Sequence, residues 1–185
     1  MSHLELIALP KAHLQNQGSQ LDILTGDIRT EFGVARSAWF NDRLLFLGFY
    51  EGDEVCGWDD LSKRFANANW YISNEKAVEL FGSFCHQPKP SAWVIGTEFQ
   101  KEVWQAVCQI PEGDTVSYSQ LALNIKNPKA VRAVGSALSA NNIAYWVPCH
   151  RAVRSDGSLG GYRWGLPLKA RMLTAESTAR RSFQK

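Results

Sequence analysis

No uninterrupted apolar run in this chain approaches the roughly 20 residues that a membrane-spanning helix requires. The opening residues, MSHLELIALPKAHLQ, also lack a basic segment followed by an apolar block, so no secretory signal is read there. Cysteine is sparse and scattered. Cys56, Cys85, Cys108 and Cys149 stand far apart without a CxxC pair, a spacing that suggests neither a zinc knuckle nor a disulfide framework. Cys85 adjoins His86, but two adjacent ligands without two more nearby do not make a metal site, and none is expected. Free thiols fit a reducing compartment, and the cytoplasm is the expected location. No internal repeat or low-complexity segment is visible.

What is present is an ordinary globular composition. With 185 residues, 45% of them hydrophobic and 11% aromatic, the chain can fill one compact core or two small domains. Its formal charge of +2 conceals an asymmetry. Residues 1–125 carry 9 Lys and Arg against 16 Asp and Glu, a balance of −7, whereas residues 126–185 carry 11 against 2, a balance of +9. Clustered cations favour a polyanionic partner through counterion release from phosphates. A solvated surface would have the same composition, so a docking element is needed to decide between them.

The stretches EFGVARSAWF and RLLFLGFY flank Asn41 and Asp42, and their aromatic and β-branched content predicts a hairpin. In NEKAVELFGSFC, Ala77, Leu80, Phe81 and Phe84 fall on one face of a predicted helix, which the prolines of HQPKPSAW then stop. A domain boundary is placed near residue 90, giving an N-terminal domain over 1–90 and a second over 91–185. Beyond it, TEFQKEVWQAVCQIP opens with a capping-box pair, Thr97 and Gln100. Phe99, Val103, Val107 and Ile110 continue it at helical spacing up to Pro111. Cys108 and Trp104 beside that stripe are read as core.

The segment VSYSQLALNIKNPKAVRAVGSALSAN reads as a helix over about 117–125, a turn at Asn127 and Pro128, and a second helix ending near Ala140. This is a helix-turn-helix pattern. Ala130, Ala133, Gly135, Ser136 and Ala137 make the second helix small-faced, and residues that pair with base edges are absent from its middle. Close approach to a backbone or narrow groove is favoured over reading of sequence, and Arg132 alone projects a long cation. Next, NNIAYWVPCHRAVRSDG ends an apolar run in Pro148, Cys149, His150 and Arg151. Asp156 and Gly157 then signal a turn between two extended pieces. A last amphipathic helix, LPLKARMLTAES, is expected to expose Lys169 and Arg171. The fold expected is α/β (α+β): an N-terminal sheet-and-helix domain followed by a mainly helical domain containing the helix-turn-helix.

Pro148-Cys149-His150-Arg151, the helix-turn-helix with Tyr118, Arg132 and Asn141, and Gly161-Tyr162-Arg163-Trp164-Gly165 occur in one order. Together they resemble the O6-alkylguanine-DNA alkyltransferases, also termed methylated-DNA–protein-cysteine methyltransferases. The likeness is strongest to the alkyltransferase half of bacterial adaptive-response proteins. It covers about residues 92–176, and the first 90 residues carry no diagnostic motif.

The resemblance implies that Cys149 takes the alkyl group from O6 of guanine, and from O4-methylthymine, in one turnover and keeps it as a thioether. His150 would activate the thiol through a bridging water with Glu176 orienting the imidazole, and Tyr118 would hydrogen-bond guanine N3 and help rotate the nucleotide. DNA contacts are assigned to Tyr118, Arg132, Ala133, Gly135, Ser136 and Arg151, with Arg132 filling the space of the extruded base. Asn141, Val147, Pro148, Tyr162, Arg163 and Trp164 would form or support the substrate pocket. The expected partner is double-stranded DNA containing O6-alkylguanine, bound by a monomer with or without cooperativity, and neither cofactor nor metal is expected.

Members of the family that accept bulky groups have proline at the position of Ala144 and small residues at those of Arg163 and Trp164. Here Trp164 is expected to crowd the O6 substituent. A cysteine hydrolase using Cys149 and His150 is the rival reading. It would need an orienting group and an oxyanion hole, and leaves the helix-turn-helix and the charge asymmetry unexplained.

Overall fold

A computed structural model describes residues 4–182, and the chain falls into two compact units on either side of the Ile95–Gly96 bond. The N-terminal unit is built on a mixed sheet. Its elements in chain order are β1 (Glu5–Ala8), β2 (Asp22–Thr30), β3 (Gly33–Phe40), β4 (Arg43–Glu51), β5 (Glu54–Val55), α1 (Trp58–Arg64), β6 (Asn69–Ile72), α2 (Asn74–His86) and β7 (Ser91–Val94). The strands lie in the order β1-β7-β4-β3-β2-β6, with β5 folded back on β4.

The predicted hairpin is β3 and β4, joined where Phe40 pairs with Arg43. Asn41 and Asp42 both take positive φ, 49° and 56°, which a two-residue turn matching the strand twist requires. Residues 44–49 of β4 are all buried, so this strand is covered on both faces. Leu21, Ile23, Phe46 and Phe65 fill one core, and Phe84 of α2 meets the Trp39 ring edge-on at 5.8 Å. Ser73 caps α2 by accepting from the Lys76 amide. Gly26 lets that helix lie directly on β2: a Cβ there would come 2.5 Å from the Ser73 carbonyl oxygen. The strand β7, directly after the prolines that stop α2, is not visible in the sequence pattern. Four residues are too few to show alternation.

The C-terminal unit is mainly helical, with α3 (Glu98–Cys108), β8 (Val116–Ser117), α4 (Tyr118–Asn124), α5 (Val131–Ser139), β9 (Ala152–Val153) and α6 (Leu166–Ser182). The Thr97–Gln100 capping box forms in full and starts α3. Trp104 of α3 donates its indole N–H to the Ala137 carbonyl at 2.8 Å, which fixes α5. Ser117 caps α4, and α4 with α5 is the expected helix-turn-helix.

Two expectations fail here. The turn at Asp156 and Gly157 forms, with Gly157 at φ 82°, but no hairpin follows it; β9 pairs instead with β8, in parallel. Backbone hydrogen bonds close the turn from Arg154 to Ser158 and leave no second strand. Lys169 is not exposed either. It is fully buried, because its ammonium finds backbone carbonyls inside the unit. Arg171 is exposed as expected.

Candidate active site

The turn that carries Cys149 is a single 3₁₀ turn, Cys149–Arg151, entered through Pro148 and leaving directly into β9. Asn141, at the end of α5 and 1% exposed, organises it. Its amide nitrogen donates to the carbonyls of Ile143 (3.2 Å) and Val147 (3.0 Å) and to Cys149 Sγ (3.3 Å), while its oxygen accepts from the Ile143 amide at 2.8 Å. Every polar atom of a buried asparagine is thus used to tie the second helix to the active-site turn.

His150 and Arg151 both turn inward onto Glu176 of α6. His150 Nε2 lies 2.8 Å from Glu176 Oε1; Arg151 donates through Nε (3.0 Å to Oε2) and Nη2 (2.8 Å to Oε1). Arg151 Nη1 donates to the Ile110 carbonyl at 2.6 Å, and the Gly113 amide donates to Glu176 Oε2 at 3.2 Å. Burial alone would raise the Glu176 carboxyl, but the hydrogen bonds from His150 and Arg151 outweigh it and hold the group at about 2. It is ionised. Arg151 is therefore a buried structural cation with 4% exposure, and its expected role in DNA contact is overturned. Its fork is taken by a carboxylate and a carbonyl before any phosphate could reach it.

Burial pushes the His150 imidazole below its ordinary value, with Glu176 opposing only in part, so the ring is neutral. A neutral ring facing an ionised carboxylate must donate through Nε2. Nδ1 then carries the lone pair, and among the described residues it is buried without a hydrogen-bond partner. The ring is held from above by Tyr145, stacked at 5.8 Å with an interplanar angle of 7°. Tyr145 has φ 66°, a left-handed conformation uncommon for an aromatic residue, and this directs its ring onto the imidazole. The sequence offers no local signal for that contact.

Cys149 is 5% exposed, and burial pushes its thiol up to about 11, with opposing help from the Asn141 hydrogen bond and from Lys169 and Arg163. At neutral pH it is a thiol and needs a base to ionise. Cys108, read as core, keeps some exposure at the edge of it, and burial pushes its thiol up to about 12. Beside Cys149 lies a small cavity lined by Tyr118, Gly135, Leu138, Ser139, Tyr162 and Arg163, among others. Arg163 spans its edge by donating to the Ser139 carbonyl (3.2 Å) and Asn142 Oδ1 (3.3 Å). Trp164 does not line it. Its ring is buried and packs edge-on against Tyr162 at 5.3 Å, so the expected crowding by Trp164 is replaced by a supporting role behind Tyr162. Ala144, the other position tied to bulky groups, is fully buried, as is Val147, and Pro148 is buried.

On α5, Arg132, Ala133, Ser136 and Ser139 are exposed along one face, and a Cβ at Gly135 would meet nothing within 4 Å. The cavity beside Cys149 is lined by this same helix, so an exposed small-residue face and the buried thiol share one wall. Lys126, Lys129 and Arg154 are also exposed. Arg151 and Lys169 must be subtracted from the cations available to a partner. Among the described residues no group of three or more His, Cys, Asp or Glu is gathered as a metal-binding cluster.

Residues 98–178 match the family described as 6-O-methylguanine DNA methyltransferase, DNA binding domain. A methylated-DNA–protein-cysteine methyltransferase of Methanosarcina acetivorans is 52% identical over 139 residues, 73% of this chain and 86% of that protein. The chain belongs to the methylated-DNA–protein-cysteine methyltransferase family. The regulatory protein ada of Salmonella typhimurium is 60% identical over 84 residues, 45% of this chain but only 24% of that protein. The chain thus spans a quarter of the length of that curated relative. In structure it is similar to the Mycobacterium tuberculosis OGT solved in complex with DNA, with a TM-score of 0.66, 29% identity, and coverage of 84% of this chain and 93% of that one. Family membership fits a fold whose C-terminal unit is mainly helical and whose other unit is a mixed sheet with flanking helices.

Proposed function

We propose that this chain repairs double-stranded DNA by a single, irreversible transfer of the alkyl group from O6-alkylguanine, and from O4-methylthymine, to Cys149. One observation carries the reading: a buried thiol, followed in the chain by a neutral, carboxylate-held imidazole, lines a cavity walled by the small-faced second helix of a helix-turn-helix.

His150 Nδ1, with its lone pair free to accept, takes the thiol proton through one bridging water, and Glu176 stabilises the imidazolium that results. The thiolate attacks the alkyl carbon in line. The S–C bond forms as the C–O6 bond breaks, and the electron pair passes into the guanine ring, whose new charge is relieved by a proton. Tyr118, half-buried in the cavity wall with its hydroxyl 3.4 Å from the Gly161 carbonyl, supplies a donor toward the base. Burial raises the Tyr118 phenol above its ordinary value, so it stays protonated and able to donate. A thioether is a poor leaving group, so no second turnover follows. This separates the reading from a cysteine hydrolase, which would release product repeatedly.

An O6 lesion lies inside the duplex, so the nucleotide has to be extruded. The exposed face of α5 fits close approach to a groove, with Arg132 entering the vacated space and Ala133, Gly135 and Ser136 permitting contact. Arg163, spanning the edge of the cavity, restricts the size of the alkyl group. No described helix is long and apolar enough to cross a membrane, and all four cysteines are free thiols, which fits work on DNA in the cytoplasm.

The test is transfer of a labelled methyl group from O6-methylguanine in duplex DNA. One equivalent should appear on the protein, mapped by peptide mass to Cys149, while Cys149→Ser should transfer none and still bind DNA. Label on Cys56, Cys85 or Cys108 would overturn the assignment.

A further inference from the structure

Tyr145 covers the His150 ring from an unusual place in the chain. It stands midway between the two carbonyls that Asn141 holds, those of Ile143 and Val147, and there the backbone closes a three-residue turn in which the Trp146 amide donates to the Ala144 carbonyl at 2.7 Å. With Tyr145 at φ 66°, this is the rare and strained hand of that turn. Glycine would take this φ freely, so an aromatic residue kept here points to a gain elsewhere. The turn lays the Tyr145 ring parallel to the His150 imidazole, with 5.8 Å between centroids and 7° between planes, and Trp146 backs that ring edge-on at 6.4 Å. The Tyr145 backbone also hydrogen-bonds the Tyr162 phenol, whose hydroxyl donates to Met172 Sδ at 3.3 Å and whose ring stands at 86° to the imidazole. One strained turn therefore sets two aromatic rings around His150.

A proton arriving at Nδ1 turns the neutral ring into a cation inside the unit. Glu176 favours that cation, but its carboxylate is already held by Arg151, and Arg151 and Lys169 both oppose a further positive charge. Of the other ionisable groups beside the ring, Tyr162 stays a neutral phenol, since burial holds it well above its ordinary value, and Cys149 is the donor of the proton. The face of an aromatic ring carries negative potential and attracts a cation within about 6 Å of its centroid, most strongly where water is excluded. Tyr145 offers such a face to a fully buried imidazole.

We propose that Tyr145 is a positioning residue of this site: its ring keeps the imidazole in the plane that leaves Nε2 on Glu176, and its face stabilises the imidazolium formed when His150 takes the Cys149 proton. This rests on the alkyl-transfer reading above. The proton leaves Sγ and passes through one water to Nδ1. What remains is a thiolate and a cation, the cation held by a carboxylate at Nε2 and by the tyrosine face.

The experiment is the pH dependence of Cys149 modification by iodoacetamide in the full chain, mapped by peptide mass, for wild type, Y145L and Y145F. Near neutral pH, where the thiol needs His150 to take its proton, Y145L should react about tenfold more slowly, the effect of a fall of about one unit in the basicity of the imidazole. As pH rises toward about 11, hydroxide ionises the thiol directly and the two rates should converge. A loss of packing alone would change the rate across the whole range. Y145F keeps the aromatic face and should recover most of the neutral rate. An unchanged neutral rate in folded Y145L, an equal loss in Y145F, or a loss that persists at high pH would overturn the proposal.

Should Y145L not fold, fluorinated phenylalanines at position 145 decide, because they keep the shape of the ring while draining negative potential from its face. The neutral rate should fall stepwise with the number of fluorines, and a rate indifferent to fluorination would overturn the assignment. Iodoacetamide requires no DNA. Loss of methyl transfer from DNA with these results intact would therefore sink the repair reading alone.

Discussion

In the N-terminal unit Asp27 accepts from Arg36 (Nε at 2.9 Å) and from the Tyr50 hydroxyl (2.8 Å), with the Arg36 and Asp27 side chains 31% and 30% exposed. In the C-terminal unit Glu176 is held by Arg151 and His150, with Arg151 at 5% and Glu176 at 1%. The chemistry is nearly the same: one carboxylate, one bidentate arginine and one ring donor. Only the solvent differs. On the sheet, water already stabilises the separated charges, so pairing adds little. Within the helical unit each charge has lost its hydration, and the network is tolerable only because every partner is in place. A unit built for packing alone has no need of such a cluster. Here its product is a neutral imidazole with one nitrogen free to take a proton.

The largest difference between the clusters should come from removing the carboxylate. Glu176→Ala leaves Arg151 as a buried, unpaired cation, a change that typically costs about 3–5 kcal/mol. Chemical denaturation should show that loss, and methyl transfer should fall with it as His150 loses its orientation. Glu176→Gln, which keeps a hydrogen-bond acceptor, should recover part of the stability and little of the transfer.

Acid should separate the units in the same direction. His150 is held below its ordinary value in the fold, so the unfolded chain takes up its proton first and stability begins to fall below about pH 6.5. Glu176, with an ordinary value near 4.5 and held at about 2, stabilises the fold fully above 4.5 and ceases to do so as pH falls toward 2. Amide exchange resolved by peptide should therefore show residues 96–182 opening at higher pH than the sheet. Opening of the sheet first would break the comparison.

These two clusters also mark how far the sequence could be read. Elements with a periodic pattern and a chemical stop signal, such as α2 with its prolines, the hairpin at Asn41 and Asp42, and α3 with its capping box, were legible because their causes are local. Cys149, His150 and Asn141 lie within ten residues of one another, and the resemblance supplied Glu176. The inward turn of Arg151, the burial of Lys169 and the stacking of Tyr145 were not legible. Residue type alone does not tell an exposed arginine from a buried one, and what holds Arg151 inside is a carboxylate 25 positions away. Trp164 was misjudged for the same reason, its place behind Tyr162 being a property of the packed loop.

A smaller effect is expected at the exposed cluster. Burial alone would raise the Asp27 carboxyl, yet hydrogen bonds from Arg36 and Tyr50 leave it below its usual range. Part of that gain is screened by solvent. Asp27→Asn should therefore cost only about 0.2–1 kcal/mol, and most of the cost should disappear near 1 M salt. A loss as large as that of Glu176→Ala, unmoved by salt, would show that exposure is not what separates the two clusters.

The smallest effect on stability should come from Arg132, and it sharpens the comparison within a single unit. Arg132 and Arg151 were both expected to face DNA, but Arg132 is exposed on α5 while Arg151 is locked onto Glu176. Exposed substitutions away from caps and buried networks usually change stability by less than about 0.5 kcal/mol, and Arg132→Ala should do the same in denaturant. Its consequence should appear only when a duplex must be opened. Repair of O6-methylguanine in double-stranded DNA should slow, whereas reaction of Cys149 with the free methylated base, which needs no extrusion, should keep its rate. The ratio of the two rates is the quantity to measure. Equal slowing of both would place Arg132 in support of the pocket, and a large loss of stability would mean that its side chain carries packing that its exposure does not suggest.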